Sequence, residues 1–174
     1  MANGYVGLLA VFTYFGFALA SPVVALVAWG LSKRRESFRM ALGSVMAGSV
    51  GLLAAVATAL ALFVDPGAGL TFALVAAAAA LVLAAFPLLI GRQLLDRWTP
   101  LGPDEALEYA TLGWPVAMVL SAVFFVAPGG LGRYNVLFLS GGAAAVAWLV
   151  LAVVVTLGPA LAGLGFYRAV ERYA

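Results

Sequence analysis

The chain has 174 residues, of which 66% are hydrophobic and 9% charged, and its net charge is +2. A soluble domain carries roughly 25% charged residues, so a water-soluble fold is excluded and the chain reads as one integral membrane domain. With no Cys and no His, disulfides, thiolate metal sites and histidine-ligated haem or zinc are excluded as well.

The first apolar segment runs over about residues 5–31. Ala18-Leu19-Ala20 before Ser21 has the form of a signal-peptide cleavage site. No Lys or Arg precedes the apolar run, which continues well past Ala20, so the segment is expected to be retained. Pro22 lies inside it and is expected to kink it. The loop Ser32-Lys33-Arg34-Arg35-Glu36-Ser37-Phe38-Arg39 follows, the densest run of charge in the chain. Its four cations beside an apolar span hold it on the cytoplasmic face.

The second span is expected over about 40–64, ended by Asp65-Pro66-Gly67. The third covers about 70–91 and continues as a helix through Arg92-Gln93-Leu94-Leu95-Asp96-Arg97-Trp98 to the break at Thr99-Pro100. Pro103-Asp104-Glu105 reads as a helix start, because proline suits the first helical position and acids face the positive end of the dipole. The apolar part of this fourth helix, about 110–126, is at the short limit for a span. Pro128-Gly129-Gly130 ends it.

The fifth span is expected over about 134–157. The apolar pattern continues to Tyr167, about 50 Å for an unbroken helix. A bend at Gly158-Pro159 and an interfacial helical tail over about 159–173 are therefore expected.

The fold class is all-α: a polytopic bundle of five transmembrane helices in one domain, with the N-terminus outside and the C-terminus cytoplasmic. Lys33, Arg34, Arg35, Arg39, Arg92, Arg97, Arg168 and Arg172 then lie inside and Arg133 alone outside, as the positive-inside rule requires. The basic residues thus read as topology signals and not as a nucleic-acid surface. Trp29, Trp98, Trp114 and Tyr167 are expected at the inner interface, and Tyr5 and Tyr134 at the outer one. There is no convincing internal repeat, and five spans do not divide into two inverted halves, which weighs against a duplicated transporter.

Small residues form stripes at helical spacing: Ser44, Gly48, Gly51, Ala55 and Thr58 in the second span; Ala73, Ala77, Ala80 and Ala84 in the third; Gly141, Ala145, Ala152 and Thr156 in the fifth. Such faces let helix backbones approach in lipid. The stripe through Gly48 and Gly51 is expected to be a buried contact within the bundle, with docking of another subunit as the alternative.

No catalytic, cofactor-binding or metal-binding residue can be singled out. No ionisable side chain falls in the middle of a span, which weighs against proton-coupled pumps, antiporters and voltage sensors. Lys33 sits in a loop, so a retinal Schiff base has no partner. Ser140 has no histidine in the chain to act as its base. Gly129-Gly130-Leu131-Gly132 reads as a turn more than as an anion cradle. Asp96, Asp104, Glu105 and Glu108 with Arg92 and Arg97 form a cytoplasmic acid–base group, whose bland reading is a capped helix start with interfacial ion pairs. Tyr14, Thr58 and Trp148 share one depth in the outer half of the bundle, where a hydrogen-bonded network or a small-ligand or lipid pocket is expected.

The expected function is that of a non-catalytic, multi-pass protein of the cell membrane, an accessory or structural subunit acting through helix contacts in the lipid bilayer, with itself or another membrane protein. The alternative is a channel or permease for small neutral or hydrophobic solutes; a membrane enzyme using the acidic cytoplasmic loop comes third. Cysteines introduced at Asn3 and at Ala174 should label from opposite sides of the membrane, and labelling of both from one side would refute the topology.

Overall fold

The computed structural model describes residues 2–35, 37–126 and 142–173. The expected start of the fifth span near 134, the turn at 129–132, Arg133, Ser140 and Gly141 lie outside these residues, as do the side chains of Tyr5 and Trp148. Among the described residues there are helices and no strands. The helices are α1 (Ala2–Ser32), α2 (Phe38–Phe63), α3 (Pro66–Ala80), α4 (Phe86–Trp98), α5 (Pro103–Val126) and α6 (Gly142–Tyr173). A π turn over Leu81–Ala85 joins α3 and α4 into one rod. Five rods result, each long and apolar enough to cross a membrane.

The helix ends follow from local chemistry. Ser37 caps α2, accepting from Met40 N–H at 3.3 Å. Asp65 caps α3 by accepting from Ala68 N–H at 3.0 Å, with Pro66 at the first helical position. At the start of α5, Gly102 N–H donates to the Glu105 carboxylate at 3.3 Å, which is the side-chain half of a capping box.

Internal prolines remove backbone donors, and side chains replace some of them. Pro22 cannot donate to the Ala18 carbonyl; the Ser21 hydroxyl does so at 3.0 Å. Pro87 cannot donate to the Leu83 carbonyl; the Trp114 indole N–H does so at 2.7 Å. Trp114 was expected at the inner interface. It is instead among the largest fully buried side chains, at 2% exposure, because its indole finds that carbonyl in the core.

The tightest packing runs between α5, α6 and α4. A Cβ on Gly163 would lie 2.6 Å from the Tyr109 carbonyl oxygen, and one on Gly113 would collide with the Pro159 carbonyl. A Cβ on Gly91 would sit 3.1 Å from that of Ala110. These contacts hold the second half of α6 against the bundle. The stretch 159–173, expected as a helical tail, is helical and continuous with the rest of α6 through Pro159.

The small-residue expectation for α2 is overturned. Ser44, Gly48, Gly51, Ala55 and Thr58 are all exposed, and a Cβ at Gly48 or Gly51 would meet nothing within 4 Å. The opposite face packs inward through Phe38 and Leu42, with Val45 and Met46 against the core. The stripe in the third rod is divided: Ala84 is buried and Ala77 exposed. On α6, Ala145 and Ala152 are exposed and Thr156 is half-buried. The small residues that do close the bundle include Gly91, Ala110, Gly113, Gly158 and Gly163 around α5 and α6, and Gly69 of α3 against Ala57 and Ala61 of α2.

Gly163→Val should cost about 1–3 kcal/mol of stability, the range for overpacking, whereas Gly51→Leu should leave the folded protomer within about 0.5 kcal/mol. Denaturation in detergent checks both, and equal losses would contradict the packing described here.

Candidate functional site

Apart from Asp65 at the start of α3, the helix ends gather the charges of the described residues at one end of the bundle. There the Asp104 carboxylate, on the first turn of α5, accepts from Phe38 N–H at 2.8 Å and Arg39 N–H at 3.0 Å. It ties the start of α5 to the start of α2 and lies at the positive end of both dipoles. Tyr109 and Tyr167 meet edge to face at 5.7 Å, joining α5 to the last turns of α6. The Tyr167 hydroxyl donates to Glu171 at 2.5 Å. Lys33 lies 3.8 Å over the Trp29 ring, a cation–π contact that holds the basic loop against α1.

Of the acid–base group considered from the sequence, two carboxylates are committed to backbone N–H groups: Asp104 to α2, and Glu105 to its own helix start. Asp96 and Arg97 are exposed on α4. Among the described residues there is no cluster of three or more side chains able to hold a metal ion. The arrangement at this end is one of capping and helix tethering.

The other half of the bundle holds a cavity of about 450 Å³ bounded by α1, α3, the π turn, α5 and α6. Tyr14 and Phe125 stand on its wall, packed with Phe15. The Tyr14 hydroxyl donates to Ser121 Oγ at 2.6 Å, and Ser121 donates in turn to the Met118 carbonyl at 2.8 Å. Ser121 is 1% exposed, so this pair is the buried polar link between α1 and α5.

Tyr14 therefore has a partner, as a half-buried phenol requires, and that partner is Ser121, not Thr58. Thr58 points away from the bundle and donates to the Ala54 carbonyl at 2.9 Å. Depth along a rod does not specify the face, and α2 turns Thr58 outward. Sequence reasoning did not identify Ser121 as the partner of Tyr14, nor Trp114 as the donor to Leu83. Pro87 carried a signal for the second, since a proline inside a helix leaves an acceptor to be satisfied.

Fold and composition together describe an all-helical bundle that, among the described residues, has five rods long and apolar enough to cross a membrane. Comparison with protein-family models, with curated proteins and with solved structures finds no match to this chain.

Trp114→Phe should cost about 1–3 kcal/mol, because it removes the outside donor to the Leu83 carbonyl in a buried setting. Tyr14→Phe should cost less, since Ser121 keeps its bond to Met118. Equal losses on denaturation would show that the indole bond is not what secures the π turn.

Proposed function

We propose that this protein works by contact, as a non-catalytic accessory or structural subunit of a membrane assembly, joined to a second copy of itself or to another membrane protein. The observation that carries this reading is the outward face of α2. Ser44, Gly48, Gly51 and Ala55 lie on one side of that helix, exposed, with open space at the two glycines. A face of this kind admits the backbone of another helix to close range, and close packing is a main source of helix association in lipid. Met40 and Leu62, both exposed, bound the stripe at its two ends. The absence of Cys and His from the sequence and the commitment of Asp104 and Glu105 to capping support a role without chemistry.

In the proposed setting the chain lies in the cell membrane with its N-terminus outside and the basic end of the bundle facing the cytoplasm, the orientation that the positive-inside rule favours. The chain has no native cysteine, so Gly48→Cys supplies a single thiol on the α2 face. Oxidation in native membranes should give a disulfide-linked dimer where the partner is a second copy, which supplies the second thiol; a different membrane partner should instead co-purify in mild detergent. Adding Gly51→Leu should abolish either association while the protomer keeps its melting behaviour. A Gly48→Cys protein that stays uncross-linked and runs as a monomer in mild detergent would refute the contact reading.

A further inference from the structure

The cavity beside Tyr14 is nearly all apolar. Val11, Val75, Val82, Leu83 and Val155 form much of its wall, and among the described residues no charged one lines it. Three hydroxyl-bearing residues line it: Thr13 donates to the Leu9 carbonyl at 2.8 Å, Tyr14 donates to Ser121, and Thr156 stands on the α6 side. Water needs two to four polar partners, so an apolar space of this kind does not hold it well. The volume, about 450 Å³, lies within the range of roughly 300–1,000 Å³ found for ligand pockets. It exists because Ala10, Ala78, Ala79 and Ala152 stand where larger side chains would fill it.

The mouth of the cavity indicates where an occupant comes from. Ala78, Val82 and Ala152 line it and are exposed. All three belong to rods long and apolar enough to span, so the opening is sideways, into hydrocarbon. The π turn contributes as well. It carries Val82 and Leu83 on the wall, and the Trp114 indole fixes it from behind through the Leu83 carbonyl. Such turns are frequent at functional sites.

We propose that this cavity is a binding site for one acyl chain of a bilayer lipid, entering laterally between α3 and α6. The chain supplies the dispersion contacts that the alanine-lined wall otherwise lacks. The headgroup takes no part, because the wall offers it no charge. This proposal is independent of how the α2 face associates.

The test uses the full chain in lipid nanodiscs containing a phosphatidylcholine with a diazirine at mid-chain. After irradiation, labelled peptides are quantified by mass spectrometry. Labelling at cavity residues such as Val82 and Leu151 should exceed that at exposed α2 residues such as Leu52 by about tenfold, equivalent to a preference of about 1.4 kcal/mol for the cavity over bulk lipid. Ala79→Phe, and separately Ala152→Leu, should remove the excess in whichever variant folds. Even labelling of cavity and α2 in the wild-type protein would overturn the proposal. So would an excess that survives both fillings.

Discussion

The bundle depends on backbone meeting backbone between α5 and α6. At Gly113 and Gly163 there is no room for a single added carbon, because carbonyls of the facing helix occupy that space. Lipid tails are as apolar as leucine, so in a bilayer helices gain little from burying apolar surface against each other. They gain from close van der Waals contact, which small residues permit. With α6 fixed on α5 in this way, α4 settles into the angle between them through Gly91, against Ala110 and Pro159. Of the remaining helices, α1 packs on another side of α5, and α2 packs mainly against α3 and α1. The helix with the shortest apolar stretch thereby becomes the centre of the molecule.

Polar satisfaction supplies the second constraint. In hydrocarbon a backbone group left without a partner costs several kcal/mol. Helices containing proline are therefore viable where another side chain supplies the missing donor. Ser21 does this within α1, from the residue next to the proline. Trp114 does it across helices, which makes the same hydrogen bond a tertiary one: it locks the rotation of α5 to the π turn of the third rod. Asp104 acts at the bundle's end in a similar manner, capping a helix other than its own. Among the described residues no buried side-chain nitrogen or oxygen lacks a partner.

Against this closed interior, two features are left open. One is the small-residue face of α2; the other is the alanine-lined cavity. Both come from small side chains that pack against nothing within the protomer. They differ in shape: the first is a helix face turned to the surroundings, the second a concavity with Phe125 and Tyr14 in its wall.

Much was legible in the sequence. The caps Ser37 and Asp65 and the start at Pro103-Asp104-Glu105 mark helix boundaries through chemistry between near neighbours in the chain. Apolar run length set the number of spanning rods, and charge placement gathered the cations at one end. The pairing of Tyr14 with Ser121, the burial of Trp114 and the inward face of α2 were not legible. Each depends on rotation about a helix axis. For a soluble helix, polarity reveals that rotation, because one face must meet water. In these rods every face is apolar, so hydropathy could not tell the Gly48–Gly51 side of α2 from the Leu42–Met46 side. Only the fit of backbone to backbone, and of Trp114 to the Leu83 carbonyl, decided which side turned in.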